Sequence, residues 1–127
     1  MMDLGPTILE LAGCEPAPSM EGRSLLPALE GRAGYAQRDV VYAEHARDGI
    51  LQGTQLVSMV RERRWKLVSF IDCPDGRLFD LENDPEELRN LSDHTPAAGK
   101  RNRLLLRIGE WHLEGATRTA GWKERRR

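Results

Sequence analysis

The sequence predicts an α+β fold: a small four-stranded antiparallel sheet packed by a C-terminal helix and preceded by a helical segment. Three observations point there. The runs "DVVYAE", "TQLVSMVRE" and "WKLVSFI" are dense in Val, Ile, Tyr, Phe and Trp, the composition of strands. Leu104, Leu105, Ile108, Trp111 and His112 then recur at helical spacing, with arginines on the other side. Strands grouped in one block and followed by a helix favour an antiparallel sheet with one face covered.

Taken in order, Asp3 stands at a helix start, and Leu4, Ile8, Leu9, Leu11 and Ala12 follow at helical spacing. Pro6 falls in the first turn and Gly13 is a natural terminator. The proline-rich "CEPAPSMEG", Cys14 to Gly22, reads as loop. Ser24 can cap a short helix through Leu29, where Pro27 is tolerated in the first turn. "GRAGYAQ", Gly31 to Gln37, reads as a connector. Only Arg63 and Arg64 separate the second and third strands, which implies a tight hairpin. "CPDGR", Cys73 to Arg77, reads as the turn into a fourth strand over Leu78 to Leu81. The final helix is expected from Ala98 to Glu114.

The acid-rich stretch "RLFDLENDPEELRNL", Arg77 to Leu91, invites a calcium loop. Asp80, Glu82 and Asp84 alternate as an EF-hand requires, but its glycine position holds Pro85 and its closing glutamate position holds Leu91. The calcium reading fails there. Asp84, Pro85 and Glu87 instead have the spacing of a capped helical turn, here expected to run to about Asn90.

At 127 residues the chain has room for one modest core. Nineteen Lys and Arg against 20 Asp and Glu leave no overall field to recruit nucleic acid or a membrane surface. The basic "KERRR" is terminal and local, so a nucleic-acid partner is not expected. No apolar run nears the roughly 20 residues of a membrane span, and "MMDLGPT" has no signal-peptide pattern. Cys14 and Cys73 form no C-x-x-C pair and have no histidine at zinc spacing.

The ordered series "MDLGPTILELAG", "GRSLLPALEG", a strand ending in Glu, "VRERRWKLV" and "LFDLENDPEELRNL" resembles the C-terminal part of the sulfatase family, within the alkaline phosphatase superfamily. The resemblance covers Met2 to about Trp111. It implies a hydrolase of sulfate esters or sulfamates that uses calcium and a formylglycine made from cysteine, both in a larger N-terminal α/β domain. Residues 1–38 would then be terminal helices and connector of that domain, 39–115 the small C-terminal subdomain, and 116–127 a disordered basic tail. The formylglycine signature is C-x-P-S-R or C-x-A-S-R. Cys14 matches through Pro16 and departs at Ala17 and Pro18, and Cys73 lacks the Pro or Ala. Neither is the nucleophile, so no catalytic residue, metal ligand or cofactor is expected in this chain.

In the resembling enzymes the loop after the first strand of the small domain can line the pocket. That makes "AEHARDG", Ala43 to Gly49, the candidate substrate-binding stretch. His45 would donate to a sulfate or sugar oxygen, Arg47 would pair with an anionic group, and Glu44 would orient either. The alternative is an exposed polar loop. His94 and His112 read as structural, Arg61, Arg63 and Arg64 as a solvated hairpin end, and Trp65 and Trp111 as core anchors. The expected partner is the sulfatase catalytic domain, on the same or a neighbouring polypeptide, with self-association through the apolar face of the first helix. A free-standing binding module and an inactive truncated reading frame are the competing readings.

Overall fold

The computed structural model describes residues 2–18, 20–33, 35–46, 54–71 and 73–124. They form helices α1 (Leu4–Leu11) and α2 (Leu26–Leu29), strands β1 (Val41–Ala46), β2 (Leu56–Arg61), β3 (Trp65–Phe70) and β4 (Cys73–Asp80), a 3-10 turn at Thr95–Ala97, and helix α3 (Ala98–Glu124). The chain divides into two compact units, Met1–Gln37 and Arg38–Arg127. Among the described residues no helix is long and apolar enough to cross a membrane.

The first unit is held by a few polar bonds. Thr7 is buried, and its hydroxyl donates to the Asp3 carbonyl at 2.6 Å while accepting from the Leu25 amide at 2.9 Å. The Asp3 carboxylate, expected to cap its own helix, accepts from the Arg23 amide at 2.8 Å and makes no cap bond. Gly13 ends α1 in the left-handed conformation, φ 71°, which costs a residue without Cβ nothing. Ser24 Oγ accepts from the Leu26 amide at 3.1 Å at the head of α2. The apolar face of α1 remains uncovered, with Leu4, Ile8 and Leu11 each more than half exposed.

The second unit is the predicted layer. Its sheet has the order β1-β2-β3-β4, antiparallel throughout. The Glu62 amide closes the β2–β3 hairpin on the Trp65 carbonyl at 2.8 Å, over Arg63 and Arg64. Val60 pairs with Leu67, and Leu67 with Leu78. These three residues therefore share one face of the sheet. Leu104 and Ile108 of α3 complete that core with Ala97, and Trp65, Tyr42 and Leu91 pack around it. Trp111 stacks on Tyr42 of β1, ring centroids 5.0 Å apart and planes 8° from parallel. Val57 and Met59, by alternation, belong to the opposite face.

Three expectations need correction. The "CPDGR" stretch is part of β4, not a turn. It carries a bulge opposite Val68 to Phe70, which accommodates a proline that cannot donate to the ladder. Gly76 suits the close approach there, since a Cβ would lie a tight 3.1 Å from the Val68 carbonyl. Residues 84–90 form turns, not a helix. Asp84 does act as an acceptor, but for the amides of Leu88 and Arg89 at 3.1 and 2.8 Å. Glu87 adopts φ 59°, which for a residue with a Cβ costs about 1–2 kcal/mol, and its carboxylate receives Lys66 Nζ at 2.6 and 2.9 Å. Finally, α3 continues to Glu124, so 116–124 of the stretch read as a disordered tail is helical. Within its stripe Leu104 and Ile108 are buried, whereas Leu105 is 40% exposed and lies off the core.

Ion pairs fasten the hairpin end, which is therefore not the free solvated end expected for Arg64. Arg64 binds Asp80 through Nε and Nη2 at 2.9 and 2.7 Å and reaches Glu82 at 2.9 Å. Asn83 adds a bond to the same Asp80 carboxylate at 2.9 Å. The Arg64 guanidinium, with help from Asn83, lowers the Asp80 pKa to about 2. Glu62 accepts from Arg103 at 2.6 and 2.9 Å and lies 3.0 Å from Arg107, tying the hairpin to α3.

Two outcomes follow from this packing. Leu104→Ala is expected to destabilise the second unit by about 2–5 kcal/mol in urea unfolding, the range for a buried leucine truncation. Asp80 has a depressed folded pKa, so its contribution is complete above the unfolded value near ~4 and is lost as pH falls toward 2. The midpoint of unfolding should drop across that window in the natural chain and change less in Asp80→Asn.

Candidate functional site

The candidate stretch begins in β1, an edge strand, and not wholly in a loop. Glu44 and His45 are consecutive strand residues, so their side chains leave opposite faces of the sheet. The register confirms it: Glu44 pairs with Ser58 and His45 with Val57. Glu44 lies on the face covered by α3, and His45 lies on the face of Val57 and Met59. The structure therefore does not bring the two together. Arg47 lies outside the described residues.

Glu44 meets two polar groups that were not foreseen as its neighbours. His112, on α3, places Nδ1 3.7 Å from Glu44 Oε2, and its Nε2 lies 2.9 Å from Ser58 Oγ. The Trp111 ring lies beside His112, centroids 4.9 Å apart, and stacks in turn on Tyr42. Ser58 escaped the sequence reading because its face depends on strand phase. The available signal was its separation of two residues from Val60, a core position. His112 was recognised on the helical stripe, but only the three-dimensional register shows what it faces.

Serine, histidine and carboxylate in this order invite comparison with a hydrolytic triad. The geometry argues against a nucleophile. Ser58 is only 4% exposed, beneath α3, so a substrate carbonyl cannot approach its hydroxyl. The histidine–carboxylate separation of 3.7 Å is beyond hydrogen-bond length. What the array does is satisfy a buried hydroxyl and join α3 to both β1 and β2. Glu44 keeps a side chain 54% exposed, free to meet a polar group from outside.

The two sheet edges differ. The outer edge of β4 is covered: the Leu78 amide donates to Asn90 Oδ1 at 3.0 Å, and Leu78 in turn accepts from the Leu91 amide at 2.8 Å. Among the described residues no strand pairs with the outer edge of β1, which leaves it a place where another segment can be received. As for metal, the described residues bring no three His, Cys, Asp or Glu side chains into one cluster. Cys14 is an exposed free thiol. Among the described residues the donor set does not fit a calcium centre.

If the Ser58–His112 bond is structural, His112→Leu will cost about 1–3 kcal/mol, the penalty of an unsatisfied buried hydroxyl. Adding Ser58→Ala should recover part of that loss. A double-mutant cycle by urea unfolding checks it, with additive losses excluding a coupled pair.

Comparison with known proteins places this geometry. A family model described as "N-sulphoglucosamine sulphohydrolase, C-terminal" matches residues 1–112. The multifunctional alkaline phosphatase superfamily protein PehA of Trinickia caryophylli is 30% identical over 129 residues, covering 93% of this chain and 25% of that protein. The choline-sulfatase of Rhizobium meliloti is 32% identical over 120 residues, covering 89% of this chain and 22% of its own length. The crystal structure of a putative sulfatase from Bacteroides thetaiotaomicron superposes with a TM-score of 0.77 over 88% of this chain and 24% of that one; at 24% identity it shows the fold. The chain thus spans roughly a quarter of the length of these relatives. A helix-covered four-stranded sheet and the matched 1–112 together establish that this chain belongs to the N-sulphoglucosamine sulphohydrolase C-terminal family, the C-terminal domain of sulfatases of the alkaline phosphatase superfamily.

Proposed function

We propose that the chain is the C-terminal segment of a sulfatase-like sulfuric ester hydrolase, where it completes the fold and forms one side of the substrate pocket without being catalytic alone. The observation that carries this reading is the condition of its polar groups. Among the described residues, the serine hydroxyl bonded to His112 is buried beneath α3, and no metal-holding cluster forms. A positioned nucleophile and an open metal site, which such hydrolysis needs, are thus not built from them. Calcium and formylglycine belong to the catalytic domain in this reading.

That domain is the partner. Its contact surfaces would include the apolar face of α1, where Leu4 is 51%, Ile8 63% and Leu11 65% exposed, an area of a kind that marks interaction sites. If the domain is not present, the same face favours self-association of the chain. Toward the substrate, Glu44 accepts or orients a hydroxyl, His45 donates to a sulfate or sugar oxygen, and Arg47 pairs with an anionic group. Since Glu44 and His45 leave β1 on opposite faces, they serve different substrate or domain contacts, not one oxygen.

Replacing the matching segment of the Rhizobium meliloti choline-sulfatase with this chain tests the reading. The chimera should recover sulfate release that deletion of the segment abolishes. Glu44→Ala or His45→Ala in it should raise KM by about three- to tenfold, the worth of one hydrogen bond. The isolated chain should release no sulfate from an aryl sulfate with calcium present. A folded but inactive chimera, or calcium-dependent turnover by the isolated chain that Cys14→Ser removes, would overturn it.

A further inference from the structure

Helix α3 has a second apolar face, directed away from the core. Leu106 is 65% and Leu113 is 70% exposed. They are seven residues apart, two turns of helix, and so lie one above the other. Gly109 lies between them, and a Cβ built there would meet nothing within 4 Å. This surface is therefore flat at its centre, where another backbone can come close.

The charges along one flank of this stripe are arranged antisymmetrically. Arg103 and Arg107 precede the midpoint of this charged segment, between Ile108 and Gly109, and Glu110 and Glu114 follow it. Each glutamate lies as far beyond the midpoint as its matching arginine lies before it. An antiparallel second copy, turned about a two-fold axis through that midpoint, brings Arg107 opposite Glu110 and Arg103 opposite Glu114, twice over. The same axis leaves Leu106 about two residues of rise, ~3 Å, from level with the copy's Leu113, so the two leucine side chains still meet. A self-complementary patch of this kind is what a two-fold interface requires, because each residue contacts its counterpart's partner and the reverse. A parallel pairing would put arginine on arginine.

Arg103 and Arg107 share the single carboxylate of Glu62, so each guanidinium keeps donors for a second partner. Their side chains are 43% and 38% exposed, so guanidinium donors remain accessible. Opposed helix dipoles in an antiparallel pair add a small favourable term.

We infer that the outer face of α3, centred on Leu106, Gly109 and Leu113, is a two-fold antiparallel docking surface for a second copy of this chain. The inference is independent of the pocket reading above. One helix pair buries less than a standard interface of about 800 Å² per partner, so a weak, concentration-dependent dimer is expected.

Sedimentation of the full chain carrying Ile8→Lys and Leu11→Lys, which removes association through the exposed face of α1, should show a monomer–dimer equilibrium from about 1 to 200 μM, a range around micromolar affinity. Leu106→Lys with Leu113→Lys should abolish it, with circular dichroism unchanged because both positions are exposed. Glu110→Arg should weaken it at least tenfold. In a background of Cys14→Ser and Cys73→Ser, Leu106→Cys mixed with Leu113→Cys should cross-link on mild oxidation, whereas Leu106→Cys alone should not. A monomer at every concentration overturns the inference. Association that survives Leu106→Lys with Leu113→Lys, or cross-linking of Leu106→Cys with itself, overturns it as well.

Discussion

The seating of Leu104 and Ile108 on Val60, Leu67 and Leu78 is the contact on which the second unit depends. A single sheet layer with one helix has few fully buried side chains, and here the largest are Leu67, Leu78, Leu104 and Val60. Apolar burial is non-directional, so it can hold α3 on the sheet without choosing how the helix is rotated or where along the strands it stops. Polar contacts near two ends make that choice. Glu62 holds Arg103 and Arg107 at the β2–β3 hairpin, while His112 reaches Ser58 and Glu44 farther along the helix. The first pair is partly exposed and contributes modestly to stability. Its value is in setting position.

In this arrangement several polar groups of the second unit already have structural partners. Asp80 is occupied by Arg64 and Asn83, Glu87 by Lys66, and Ser58 by His112. Each is engaged in ending a strand, fixing a turn or satisfying a buried atom. Residues whose pKa is shifted often mark active sites, yet the clearest shift here, on Asp80, comes from an ion pair at the foot of a hairpin. Its cause is architectural.

Much of the fold was legible in the sequence because it rests on local composition and period. The three valine-rich runs became β1, β2 and β3, and the 3.6-residue stripe became α3. Failures arose where a nonlocal partner overruled a local signal. Pro-Asp-Gly has turn chemistry, but pairing with β3 drew it into β4 as a bulge. Asp84 to Glu87 has the spacing of a capping box, but Lys66 on the neighbouring strand engages Glu87, and the helix does not form. The pocket candidates show the same limit. Glu44, His45 and Arg47 could be named from the order of motifs, but strand phase decided which face each of the first two serves.

That phase constrains how an edge strand can contribute to a pocket. Two consecutive strand residues cannot converge on one ligand atom, since their side chains diverge by the pleat. At Glu44, His112 lies within ion-pairing reach, and Ser58 holds the other side of that imidazole. Movement of Glu44 therefore involves α3, and anything that shifts α3 along the sheet is felt at β1. His45 pairs with Val57 and leaves β1 on the opposite face. A ligand approaching from the α3 side would encounter a carboxylate already shared with a histidine. One approaching from the other side would meet the imidazole of His45. Among the described residues no strand pairs with the outer edge of β1, which lies between these two approaches, so a segment added there would border both, and its identity would decide which of them stays accessible.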